Sequence, residues 1–434
     1  MALWLIPMFY VGGTLVFGTV FLRFEHIYLA QHSINLSQWF FNNFSVTSAQ
    51  ACLSAVASGM IALTAIVFTV AYITAQFNSV AYSPRVASFF IRKPTLFHTF
   101  GLFNATFIYS LMTLGWVDRE NSHIVPELSM LIVVIMVIAS MVAFARLVRG
   151  VSDLLVTNTL HAVGDRGRAV LRQTFDRLET PSTLKQEKTH ERDLRSSPVT
   201  QTLKYLGTPR AIAAIDQKSL VELARRFDAL IELDCAVGDT IVYDTRLLQV
   251  RGGSLQLPDK QLWRAFHLAD ERTFEQDPKY PIRLLVDIAI KALSPAINDP
   301  TTAVQAIDQI EDLLRRLGRR NLDDVHAEDS QGIVRLIFPT PNWEDFLSLS
   351  FDEIRQYGAG SVQVMRRMRS ALAGVADSIS DESRIDSIER YMHHLDLAIS
   401  RSPLDAEDQA VASQQDRQGL GFTRPGAVLK VVSN

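Results

Sequence analysis

The sequence predicts a polytopic α-helical membrane protein with four transmembrane helices and a C-terminal cytoplasmic α+β domain. That domain is expected to hold a small β-rich, barrel-sandwich-like module and a helical region. Three observations carry the prediction. Four long apolar runs fill the first third of the 434 residues, charge is concentrated in the remainder, and the remainder mixes strand-like with amphipathic helical segments.

The runs are Leu3–Leu22, Ala51–Ala75, Leu96–Trp116 and Leu128–Ala145. A helix needs about 20 apolar residues to cross a bilayer, and each run comes close to that or exceeds it. Residues 1–147 hold six Lys/Arg and four Asp/Glu, whereas the rest hold 37 and 42. Leu3–Leu22 has no positive start or small-residue cleavage site and is too long for a signal peptide, so it is expected to be a retained helix. The loop "SPRVASFFIRKP" carries Arg85, Arg92 and Lys93, and the segment from Glu25 to Gln50 carries no Lys or Arg. The positive-inside rule then puts the second loop, the N-terminus and the C-terminal domain in the cytoplasm, with Trp39, Phe40 and Phe41 at the outer interface. A net charge of −3 gives no reason to expect a nucleic-acid partner. The two cysteines, Cys52 and Cys235, fall on different sides of this division and form no disulfide or zinc spacing.

Beyond the four-helix domain (1–147), residues 148–205 are expected to be a connector helix and linker. Leu147, Val151, Leu154 and Leu155 recur at helical spacing, and "TPSTLKQEKTHERDLRSSPVT" has no period. Residues 206–258 form the β-rich module: "AIAAID" is strand-like, "QKSLVELARRFD" is an amphipathic helix, and "ALIELDC" and "TIVYDTRLLQV" are strands around a "VGD" turn. The order resembles half of a lipoyl or biotinyl carrier, without the modified lysine, so only shape is carried over and no cofactor is expected. Residues 259–401 are mainly helical, with helices over 260–275, 281–293, 300–318, 343–357, 361–377 and 383–400 and one strand over 332–338. Residues 402–434 are expected to be a flexible tail.

"LSPAINDPTTAVQ", Leu293 to Gln305, interrupts this helical region. Ser294–Pro295 stops one helix, Asp299 is a good N-cap, and Pro300 suits a first helical position. Asn298, Asp299, Thr301 and Thr302 exceed what a turn needs and are candidate ligand-binding residues at a helix N-terminus, against a simple capped corner. In the preceding helix Arg283, Asp287 and Lys291 stand four apart and read as a solvated ladder.

At "ALSPAINDPTTAVQAID", preceded by "RTFEQDPKYPIRLLVDIAIK", the chain resembles a bacterial family of predicted membrane proteins catalogued as domain of unknown function 2254. The triplet Ser83–Pro84–Arg85 in "FNSVAYSPRVASFFIRKP" is similar to a second hallmark, and "IRQYGAGSVQVMRRM" to a third. Ser294 and Pro295 belong to the first. The resemblance covers nearly the whole chain. It implies a four-helix membrane region with a cytoplasmic domain, in the bacterial inner (plasma) membrane, and it implies no activity.

No catalytic constellation is present: there is no P-loop, GxSxG or HExxH, and no metal site is expected. "DDVHAEDS", Asp323 to Ser330, lacks EF-hand spacing and reads as a solvated loop. His393 and His394 are adjacent on a helix and diverge. Arg272, Asp277, Asn298 and Asp299 support an enzyme only by clustering in sequence, so none is expected. The second apolar run carries Ala51, Ala55 and Gly59 at small-xxx-small spacing, and Ser58, Thr69, Tyr72 and Gln76 along a polar stripe. These four are candidate pore-lining residues. The leading expectation is an oligomeric channel or transport protein with a cytoplasmic gating or sensing domain. The alternative is a non-conducting scaffold or signalling protein that binds a cytoplasmic partner or small ligand.

Overall fold

The computed structural model describes residues 5–31, 45–81, 94–118, 125–152, 156–175, 194–253, 255–322 and 325–421. The chain divides into two compact units, Met1–Leu155 and Val156–Asn434.

Among the described residues the first unit contains four helices: α1 (Leu5–Gln31), α2 (Val46–Ala81), α3 (Pro94–Leu114) and α4 (Glu127–Ser152). Three of them, α1, α2 and α4, are long and apolar enough to span a membrane, and only 11–22% of their apolar windows is buried. Large side chains such as Phe9, Val16, Ile66, Phe68, Ile135 and Met141 stand exposed on them. Such surfaces suit a lipid environment. Of the four expected spans, three qualify by length and composition and the third run does not. Helix α3 forms as expected, but Thr99, Asn104, Thr106, Ser110 and Thr113 make it too polar to qualify by composition. The reason lies in its position. It packs on α1, α2 and α4, and is the hub of the unit. Its hydroxyls donate back to carbonyls one turn earlier, as Ser110 does to Thr106 at 2.7 Å. A helix surrounded by protein tolerates polar groups that lipid would not.

The second unit begins with α5 (Val156–Thr174), which packs on two helices of that unit, α8 (Lys279–Ala292) and α9 (Pro300–Leu317). Gly167 permits the close approach: a Cβ there would press on Leu313 and Pro281 at 3.0 Å. Arg168 adds an ion pair to Asp312 at 2.8 Å. The expected connector over 148–205 is therefore split. Its first residues end α4, and residues 156–174 belong to the second unit. Its end is a strand, β1 (Val199–Tyr205), that alternates exposed and buried positions towards its end.

Two sheets share one apolar core. The larger runs β1, β5 (Thr245–Gly252), β3 (Ala229–Leu233), β8 (Val334–Ile337), β7 (His326–Glu328). The smaller runs β4 (Thr240–Ile241), β2 (Arg210–Ile215), β6 (Phe266–Ala269), all antiparallel. Helix α6 (Gln217–Arg226) follows β2, capped by Asp216 on Ser219 N–H. The expected module boundaries 206–258 are too narrow. β1, β6, β7 and β8 come from outside them, and β8 pairs parallel with β3 from about a hundred residues away. The expected helix 260–275 shrinks to α7 (Asp259–Arg264), because Phe266–Ala269 pairs with β2 instead.

The helical layer is centred on α8 and α9. Helix α10 (Trp343–Gly358) packs on α8, α11 (Val362–Ala376) on α9, and α12 (Glu382–Ser400) on α10 and α11. These five match the expected segments within two residues. The tail expected from 402 is corrected as far as residue 421. Helix α13 (Ala406–Ala412) packs on α11, and Asp416, 1% exposed, accepts backbone N–H groups from Gln418, Gly419 and Gly421.

Candidate functional site

The corner at Leu293–Gln305 is built almost entirely from its own backbone. Helix α8 ends at Ala292, and the N–H groups of Ile297 and Asn298 both return to the Ser294 carbonyl, at 3.0 and 2.8 Å. Asn298 sits in the left-handed region at φ 49°, which asparagine tolerates better than most residues. The Asp299 carboxylate accepts the Thr302 N–H at 3.1 Å and the Thr302 hydroxyl at 2.5 Å. Asp299 thus fills the place an anion would take at the start of α9. Thr302 is buried, while Asn298, Pro295 and Thr301 are exposed.

Arg272 and Asp277 lie at the other end of α8, a helix of 14 residues and hence about 20 Å long. They do not join Asn298 and Asp299 in one site. Asp277 is 1% exposed, pairs with Arg272 at 2.8 Å and accepts the N–H groups of Lys279 and Tyr280. Burial pushes its carboxyl above the usual range against the pull of Arg272. The "VGD" turn lies directly on this pair. Gly238 has φ +90°, and a Cβ there would overlap both Asp277 and Arg272. Beside it Phe274 stacks edge-on to Tyr280 and sits under Arg166, and Gln276 accepts the Ile215 N–H. The segment "RTFEQDPKYP" therefore ties together β2, the turn before β4, α5 and α8.

The ladder on α8 is not solvated. Arg283 donates to Asp287 and, with both terminal nitrogens, to Glu353 of α10 at 2.7 and 2.8 Å. The Glu353 bond is the main reason that the Arg283 guanidinium is raised, and Arg283 holds Glu353 below the ordinary carboxylate range. The acidic run is also partly structural. Residues 323 and 324 lie outside the described residues, but Asp329 is buried and bonds Arg335 at 2.9 Å and the N–H groups of Gln331 and Ile333. His393 and His394 are both exposed. Cys235 is buried, and desolvation pushes its thiol up to about 12, so it is unreactive as a nucleophile. Among the described residues no cluster of His, Cys, Asp or Glu could hold a metal ion.

In the membrane unit, Ser58, Thr69, Tyr72 and Gln76 are all exposed on α2. Thr69 donates back to Ala65 at 2.9 Å, and Gln76 donates to the Tyr72 hydroxyl at 3.1 Å. Ser83, Pro84 and Arg85 lie outside the described residues, as do Trp39, Phe40 and Phe41. One polar group escaped the sequence reading. Glu25, which follows the first apolar run, is part of α1 and 1% exposed. Its carboxylate accepts the Leu128 and Ser129 N–H groups at 2.8 and 3.2 Å and the Ser129 hydroxyl, capping the N-terminus of α4. The Tyr109 hydroxyl of α3 donates to Ser129 at 3.2 Å, extending the chain of polar contacts. The available signal was the helical continuation "FEHIYLAQ" after the first apolar run.

A family described as "Predicted membrane protein (DUF2254)" matches residues 1–374. The chain belongs to this family. Uncharacterised proteins of Mycobacterium bovis and Mycobacterium tuberculosis are each 27% identical to it over 395 residues, covering 88% of this chain and 74% of theirs. No solved structure matches the chain. DUF2254 membership and the apolar helices together make it a membrane protein. Within the DUF2254 match, the segments 272–305 and 354–368 fall wholly in the second unit.

Proposed function

We propose that the protein is an oligomeric channel or transport protein of the bacterial inner membrane, non-enzymatic, with its second unit acting as a cytoplasmic gate or sensor. In this reading all four helices of the first unit cross the bilayer, and the N-terminus and second unit are cytoplasmic. The observation that carries it is the exposed face of α2. Ala51, Ala55, Ser58, Ala65, Thr69, Tyr72 and Gln76 fall on one side at about 100° per residue, and all are exposed. A Cβ at neighbouring Gly59 would meet nothing within 4 Å. Small and polar residues are characteristic of helix–helix contacts or a hydrated path, not of a lipid-facing surface. Packing of further copies against this face would cover it or enclose a path.

The test is ion flux from liposomes containing the purified protein, beside empty liposomes and a Thr69→Leu variant. Flux in the wild type that changes in the variant supports the reading. Absence of flux over a range of ions and pH removes it. A second reading, a non-conducting scaffold that binds a cytoplasmic partner, draws support from the local bonds that already satisfy Thr69 and Gln76. Oligomers without flux would favour it.

A further inference from the structure

The third hallmark, "IRQYGAG", does two things in the second unit. Ile354 and Gly358 are buried, and Gly358 lets α10 meet Val364 and Met365. Arg355 and Gln356 instead line a surface groove of about 410 Å³, together with His394 and Arg401 from the end of α12. Leu397 and Ala398 supply an apolar wall.

The cations of this groove differ from those elsewhere in the unit. Arg283, Arg335 and Arg367 each hold two carboxylates at 2.5–2.9 Å. Arg401 is exposed, and among the described residues its guanidinium has no partner. Among the described residues Arg355 reaches only Asp352, at 3.5 Å, and its buried Nε has no hydrogen-bond partner. Asp352 is already engaged by the Ser348 hydroxyl at 2.8 Å. Negative helix C-termini of α10 and α12 also border the groove and partly offset its charge. The groove is therefore not a general cationic patch. What it offers is the unpaired guanidinium of Arg401 and the weakly paired one of Arg355, beside an imidazole and an apolar wall.

We propose that this groove binds a small organic phosphate. Guanidinium groups hold phosphate oxygens through paired charge-assisted hydrogen bonds. Arg355, Arg401 and His394 all border the groove, and a phosphate monoester presents three terminal oxygens and up to two negative charges to them, against two oxygens and one charge for a carboxylate. Leu397 and Ala398 would lie against the carbon part of the ligand. The phosphate could be that of a soluble ester or of a lipid headgroup, and the chemistry of the groove is common to both. The proposal stands whether or not the membrane unit conducts.

The experiment uses the full chain in a neutral detergent. Binding of glycerol 3-phosphate and of short-chain phosphatidylglycerol is measured calorimetrically, with phosphatidylcholine as control, for wild type, Arg401→Gln and Arg355→Gln. The Arg401 guanidinium has no partner among the described residues, so Arg401→Gln should melt at the wild-type temperature without ligand. We expect saturable binding in wild type that weakens about tenfold or more in Arg401→Gln, the scale of one lost charge-assisted pair. Binding of glycerol 3-phosphate assigns a soluble ligand, and binding of phosphatidylglycerol alone assigns a headgroup. Either supports the proposal. Binding that is equal in wild type and Arg401→Gln, or absent for both probes, overturns it.

Discussion

Replacing Asp299 separates a capped corner from a ligand site at "LSPAINDP". In Asp299→Ala the start of α9 loses the acceptor of the Thr302 N–H at 3.1 Å and of the Thr302 hydroxyl at 2.5 Å. Loss of an N-cap costs about 1 kcal/mol. Thr302 is 8% exposed, so its hydroxyl keeps little access to water and adds about 1 kcal/mol. The sum, about 2 kcal/mol, corresponds to a fall of roughly 4–8 °C in Tm for a unit of this size. Asp299→Asn keeps an acceptor oxygen and should lose less than half of that. The assay is thermal unfolding of the full chain in detergent, followed by tryptophan fluorescence, since Trp263 and Trp343 both lie in the second unit. Equal losses in the alanine and asparagine variants, or no loss in either, would refute the capping account. The charge of Asp299 or its freedom would then matter for some other reason.

Three further outcomes follow from the geometry. Gly238→Ala adds left-handed strain at φ +90° and drives a Cβ into the Arg272–Asp277 pair; it should cost about 2–4 kcal/mol, seen as a lower Tm of the second unit. Glu353 is held below the ordinary range by Arg283, so its contribution is complete above the unfolded glutamate value of about 4.3 and is lost as pH falls through the lower folded value. The stability gap between wild type and Glu353→Gln should be widest near neutral pH and close below about pH 4; a gap that widens in acid would contradict the pairing. Glu25→Ala leaves the Leu128 and Ser129 N–H groups without an acceptor and should destabilise the first unit by about 1–3 kcal/mol, with Glu25→Gln milder, in unfolding titrations with a harsh detergent.

The legible parts of the fold were those in which one local pattern decides the outcome. Helices α8 to α12 could be placed because each buries a long face at helical period and has a stop or cap written beside it, such as Ser294–Pro295 or Asp299. The misread parts depend on partners far along the chain. "VTQTLKY" looks like linker because β1 is an edge strand with half its residues solvated, and only β5 makes it a strand. "FHLA" continues a helical pattern, but β2 claims it. Asp329 looks solvated in a run of acids until Arg335 turns back onto it, and Arg283 finds Glu353 seventy residues away. In the candidate corner the cap was legible. The groove was not, because Arg355 and Arg401 are separated by more than forty residues and carry no shared motif.

The two hallmark segments of the second unit then differ in what they ask for. In residues 272–305 the polar residues that define the pattern are mostly consumed by the fold. Asp277 starts α8, Asp299 starts α9, Arg283 locks α10, and Ser294 donates to the Lys291 carbonyl. These contacts set the α8–α9 frame on which α5, α10 and α11 pack. A ligand adds nothing to their explanation. In residues 354–368 Ile354, Gly358, Val364, Met365 and Met368 are likewise explained by packing, and Arg367 by Asp308 and Glu311. Arg355 and Gln356 are not. They line a groove, and neither packing nor a full ion pair accounts for them. Residues left over after the fold has been satisfied are the ones whose chemistry is free for binding. That is why the search for a ligand belongs at the end of α10 and α12, and not at the prolines of the corner.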